Sequence, residues 1–265
     1  MDQLTQYAWI GVLLFSRLGA VLMLAPGWGE QATPTTIRLA AALLATMALA
    51  AGLAPSAPPL PGNIAEAVPL IFMEVVTGLI LGAGVRLLMS ATQVAGAIVG
   101  MGTSLSFAQQ VDPIVNQQSA LFSSFLSLIA VVLVMSIGLH RVMIAAAAES
   151  YAVFPPGGLP PLGDVSVYFI DTVSTAFRLG VQIAAPVLVF SIIFNASLGM
   201  ASRLIPQVQM FLVAMPMTVM LGTAVFALGL GGGLPAIKRV SVGSGYLCHH
   251  LRRFRSLREF DRKRP

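Results

Sequence analysis

Residues 64–100 read IAEAVPLIFMEVVTGLILGAGVRLLMSATQVAGAIVG, the longest apolar run in the chain. As a single helix these 37 residues would extend about 55 Å, at roughly 1.5 Å per residue. A bilayer's hydrocarbon needs only about 30 Å, or some 20 residues. The run therefore either breaks inside the membrane or projects beyond it, and Pro69, Gly82 and Gly84 are the available break points.

Working outward, two apolar segments precede this run. Tyr7–Ala25 is closed by Pro26-Gly27; 37–54 is opened by Thr35 or Thr36 and stopped by Pro55, Pro58, Pro59 and Pro61. Asn63 is placed to open the long run itself. Three more segments follow: 119–150, ended by Phe154-Pro155-Pro156-Gly157-Gly158; 165–204, with Asp164 as cap and Pro186 as a break point; and 208–230, closed by Gly231-Gly232-Gly233. No repeat of twenty to fifty residues is visible. The expectation is an all-α, multi-pass helical membrane protein of about six long apolar helices arranged as hairpins. Residues 1–235 form its membrane domain and 236–265 a basic tail.

Composition supports that class. Hydrophobic residues make up 57% of the chain and charged residues 9%, with a mean hydropathy of +0.87. Soluble domains carry about a quarter charged residues, so a soluble helical protein is excluded. The one cysteine, Cys248, leaves no intrachain disulfide, and Arg17 inside the first apolar run argues against a cleaved signal peptide. From Lys238 onward nine Lys and Arg face two acids, a net +7. Such a tail belongs on the cytoplasmic side, against anionic headgroups. Nothing beside it points to nucleic acid.

Between this run and the next apolar segment lies Met101 to Gln118, MGTSLSFAQQVDPIVNQQ, with four glutamines, one asparagine and one carboxylate. Asp112-Pro113 favours an extended or turn conformation at Asp112. The connector is long for a hairpin tip and has too little charge for a solvated loop. It suits packing in a narrow protein-lined space.

Within the long run, Glu74, Gly78, Gly82, Gln93, Gly96 and Gly100 fall on one helical stripe about 100° wide. Small residues four apart admit a second backbone, either from this chain or from another subunit. The carboxylate in that seam needs a partner; Arg86 lies about 120° round and does not pair with it within the helix. Arg17, Arg141, Glu149, Asp171, Arg178 and Arg203 also sit in apolar runs and should face a neighbour, face a watery path or snorkel. No phosphate-binding loop, zinc motif or nucleophile elbow is present, and His140 and Cys248-His249-His250 lack metal-ligand spacing. No cofactor and no catalytic activity are expected.

Two blocks of residues carry a resemblance. Glu74-x3-Gly78-x3-Gly82, Gln93-x2-Gly96-x3-Gly100 and Ser106-Phe107-Ala108-x3-Asp112-Pro113 form the first; Gly199-x3-Arg203-x2-Pro206-Gln207-x3-Phe211-x4-Pro216-x5-Gly222 forms the second. Over about residues 5–230 the chain resembles the FliR family, the R component of the flagellar type III export gate, whose injectisome counterpart is SctT-like. The resemblance implies a subunit of a hetero-oligomeric helical cone, partly outside the bilayer plane, in the inner membrane at the flagellar basal body. It implies P- and Q-type partners (FliP, FliQ), an FlhB-type switch protein and unfolded flagellar proteins in transit. Ser106, Phe107, Gln109, Gln110, Asp112 and Pro113 then belong to a pore plug. Glu74, Gly78, Gly82, Arg86, Gln93, Gly96, Gly100, Arg178, Arg203, Pro206 and Gln207 belong to subunit interfaces. The tail after residue 235 departs from the family pattern. The alternatives are a small-molecule or ion transporter, which predicts inverted repeats, and the equivalent subunit of a virulence secretion system.

Overall fold

The computed structural model describes residues 2–27, 34–53, 58–104, 120–158, 161–204 and 210–242. Regular structure among them is entirely helical: α1 (Asp2–Leu24), α2 (Thr35–Leu53), α3 (Ile64–Gly102), α4 (Ala120–Ser136), α5 (Leu139–Val153), α6 (Leu162–Leu204) and α7 (Met210–Val242). Among the described residues four helices are long and apolar enough to cross a bilayer: Thr5–Leu24, Ile64–Gly102, Leu162–Arg203 and Ala214–Gly231. The bent pair α4–α5 makes a fifth candidate, and α2 is shorter. This is a multi-pass helical membrane architecture, as the apolar runs predict.

The helix ends follow from local chemistry. The Asn63 carbonyl accepts from the N–H groups of Glu66 and Ala67 and opens α3 as expected. Asp164 does not cap α6, because the Pro161 carbonyl accepts the Val165 N–H one turn earlier. Asp164 falls instead in the first turn, where its charge suits the helix dipole.

The expected break points need correction. α3 runs unbroken for 39 residues through Pro69, Gly82 and Gly84, and α6 for 43 residues through Pro186. Pro69 is the sixth residue of α3, where it removes a single ladder bond without ending the helix. Pro186 packs its ring on α7 at Gly229, where a Cβ would meet the ring Cγ at 2.7 Å. The break comes instead at Gly138, which adopts a left-handed φ of 77° and separates α4 from α5. Nor does the glycine run close the last helix. α7 continues through Gly231-Gly232-Gly233 to Val242.

The chain gathers into two compact units, Met1–Leu88 with Val134–Val173, and Met89–Leu133 with Ser174–Ser241. In the first, Leu18, Val21 and Ala25 of α1 and its end pack with Leu81 and Val85 of α3, Met143 and Ala147 of α5, and Tyr168 of α6. In the second, Ala91, Ala95 and Val99 of α3 meet Phe122, Leu126 and Ala130 of α4, both sets at a spacing of four. Phe226 of α7 closes that core edge-on to Phe122, with centroids 5.0 Å apart.

Candidate functional site

The first unit contains a buried ionic node. Arg17 of α1 and Glu74 of α3 are both fully buried, and their bond is bidentate: Nε donates to Oε2 at 2.7 Å and Nη2 to Oε1 at 3.0 Å. The remaining guanidinium hydrogens are used as well. Nη1 donates to the Ser150 Oγ at 3.1 Å, and Nη1 and Nη2 both reach the Phe154 carbonyl at 3.1 Å. That carbonyl lies just past the C-terminus of α5, where helix carbonyls lack intrahelical donors. The guanidinium also lies 3.8 Å from the centroid of the Tyr151 ring. Glu74 Oε1 accepts one further hydrogen, from the Gly157 N–H at 3.1 Å.

Gly157 reaches that position through a turn that its residues specify. Pro155 to Gly158 is closed by the Gly158 N–H donating to the Pro155 carbonyl at 3.0 Å, with proline at the second position and φ +76° at Gly157. Proline followed by a residue of positive φ is the type II pattern. A Cβ at Gly157 would also strike the Leu70 side chain. Gly157→Ala is therefore expected to destabilise the chain by about 1–2 kcal/mol through strain and displacement of Leu70. A fall in the melting temperature of the detergent-solubilised chain, with Glu74 and Arg17 unaltered, is the measurement.

The small residues next to Glu74 face the same partner. A Cβ on Gly78 would collide with the Arg17 carbonyl and stand 2.8 Å from the Ala20 Cβ; one on Gly82 would stand 2.8 Å from the Leu24 Cβ. On another side of α3, Gly84 makes room for the Tyr168 hydroxyl. In the second unit Gly96 is seated against the backbone of Ser123 in α4, whose Oγ donates to the Gln93 carbonyl at 3.2 Å. Gly100 is buried too. Glu74, Gly78, Gly82 and Gly96 are thus packed within the chain. The seam is already filled by α1 and α4.

The other expected interface residues divide differently. Arg86, Gln93, Arg178 and Arg203 have exposed side chains, as do Arg141, Glu149 and Asp171. From Ile192 to Arg203 most of α6 is uncovered, including Ile192, Ile193, Asn195 and Met200. Pro206 and Gln207 lie outside the described residues, as do Ser106, Phe107, Gln109, Gln110, Asp112 and Pro113.

The point from which that last stretch departs is well defined. Thr103 is buried, its Oγ1 donates to the Val99 carbonyl at 2.9 Å, and Ser104 ends the helix with a left-handed φ of 58°. Gly222 of α7 rests against Thr103, where a Cβ would stand 2.8 Å from the threonine methyl. The start of the connector is therefore pinned between α3 and α7.

Among the described residues no group of three or more His, Cys, Asp or Glu could hold a metal ion. What the residues build is a set of tightly seated helices and one neutralised charge pair. Residues 8–241 match the family model of bacterial export proteins, family 1. The chain belongs to the FliR family of bacterial export proteins. It is 40% identical to the flagellar biosynthetic protein FliR of Caulobacter vibrioides over 224 residues, covering 84% of this chain and 89% of that protein. The FliR protein of Aquifex aeolicus is 31% identical over 233 residues, covering 87% and 89%. That of Escherichia coli is 26% identical over 237 residues, covering 86% and 88%. As a FliR-family member, the chain is matched across all seven described helices.

Sequence reasoning found Glu74 and its glycines but not Arg17, Ser150, Tyr151, Phe154 and Gly157 as their company. One signal was available: Arg17 and Glu74 are isolated opposite charges, each well inside an apolar run.

Proposed function

We propose that this chain is a pore-forming subunit of the flagellar type III protein export gate, in the bacterial inner membrane at the flagellar basal body. The observation that carries the reading is the family match over residues 8–241 on a chain of long, unbroken apolar helices. In this reading it assembles with P- and Q-type gate subunits and an FlhB-type switch protein and passes unfolded flagellar proteins. It performs no catalysis itself. The exposed Arg86, Gln93, Arg178 and Arg203, with Pro206 and Gln207, are the surface offered to those partners. An arginine facing lipid is costly and a neighbouring subunit can neutralise it.

The seal is assigned to Ser106, Phe107, Gln109, Gln110, Asp112 and Pro113. An aromatic ring excludes water, and amides bond to facing backbone while closed and to water or a passing chain when open. Closure is then worth only a few kcal/mol, as a displaceable gate requires. The pinned start of the connector at Thr103 supports this, because a plug needs a fixed root. The test is deletion of residues 106–112. The variant should co-purify with its P- and Q-type partners at the wild-type level but make the membrane leaky to small ions at matched complex levels. Wild-type conductance in the deletion variant would remove these residues from the seal, and failure of the intact chain to co-purify with the partners would overturn the gate assignment itself.

A further inference from the structure

We infer that Arg17 keeps α1 from docking on α3 until the turn after α5 has been made, so that the Arg17–Glu74 pair acts as an assembly checkpoint built into the chain. Arg17 is the thirteenth residue of the apolar stretch Thr5–Leu24, near the middle of a span. A central arginine shifts the insertion equilibrium of a helix by about a hundredfold against the membrane. Its partners are all made later than α1 itself. Glu74 lies 57 positions downstream, Ser150 133 and Phe154 137. At cellular translation rates the last of these follows Arg17 by roughly 7–27 s.

The closing contacts are what make the pair stable in a buried place. A carboxylate alone neutralises the charge but leaves Nη1 with no acceptor and one Glu74 oxygen underused. An ion pair away from water is net favourable only when its remaining hydrogens and lone pairs are satisfied. Ser150, the Phe154 carbonyl and the Gly157 N–H supply those bonds. α1 therefore lacks a complete site until the turn after α5 exists. The seats for α1 at Gly78 and Gly82 are made with α3 itself, so the delay is set by the missing bonds and not by a missing groove.

The checkpoint is testable on the growing full-length chain. In a Cys248→Ser background, Leu24→Cys and Gly82→Cys place two sulfurs where Cβ atoms are 2.8 Å apart, close enough to bridge after a small separation of the helices. Synchronised, slowed translation of the full message into membrane vesicles, with samples oxidised at intervals, reports by gel the length at which the bridge first forms. Chains that have not yet exposed Gly157 should be bridged at least about tenfold less often than chains that have. Arg17→Leu combined with Glu74→Leu, which strands neither charge, should allow bridging as soon as Gly82 has emerged. Two results overturn the inference: wild-type chains that bridge fully before Ser150 is made, or doubly substituted chains that wait for Gly157 as the wild type does. The wild-type length series decides the matter even where the leucine variant fails to complete its fold.

Discussion

Glu74→Ala is expected to remove most of the folded chain from the membrane. The substitution strands a fully buried guanidinium, leaves the Gly157 N–H without its acceptor and opens a void beside Arg17. Removing one partner of a buried pair costs about 3–5 kcal/mol. Whole domains are stable by only about 5–15 kcal/mol, so a large share of the margin goes. Replacing both charges, as Arg17→Met with Glu74→Leu, should recover most of the loss, because apolar groups of similar volume need no partners. The measurement is thermal unfolding of the solubilised chain, wild type against the two variants. A double variant no more stable than Glu74→Ala would mean that the stranded charge is not the source of the damage.

Gly78→Leu should be comparably severe for a different reason. The first added carbon would collide with the Arg17 carbonyl, which belongs to a helix backbone and cannot swing aside as a side chain can. Overpacking of a well-filled core costs about 1–3 kcal/mol where side chains can adjust; here α1 has to move away from α3 and take Arg17 with it. The expected result is loss of the folded chain itself, before any question of partners arises. Gly11→Leu is the control, since a Cβ there meets nothing within 4 Å. Equal yields for the two leucine variants would show that α1 does not sit where Gly78 places it.

Some of this fold is legible in residue order and some is not, for identifiable reasons. Helix existence and rough extent follow from apolar run length, and the Asn63 start of α3 from its capping chemistry. The break is harder. Gly138 lies in Ser136-Ile137-Gly138-Leu139, and its residue type does not separate it from Gly82 or Gly96, which sit in intact helix. Pro186 has the stronger breaking tendency and breaks nothing, since a neighbouring helix with a glycine at position 229 accepts the ring. Each member of the ion pair announces its need for company, yet which charge answers which depends on how α1 crosses α3. Helical periodicity within α3 carries no information about that crossing. It pointed equally to a second subunit.

The turn after α5 was the least legible part of the site, and the reason extends beyond sequence reading. Phe154 offers Arg17 a carbonyl and Gly157 offers Glu74 an N–H. Almost any residue at 154 would carry the same carbonyl, so a scan that exchanges side chains one at a time reports only the ring. At 157 such a scan reports conformational strain and the displaced Leu70. Two of the groups that hold the pair are therefore silent in conventional mutagenesis. Their share becomes measurable when the backbone itself is edited: glycolic acid in place of Gly157 deletes the N–H, adds no atom against Leu70 and keeps the freedom that φ +76° demands.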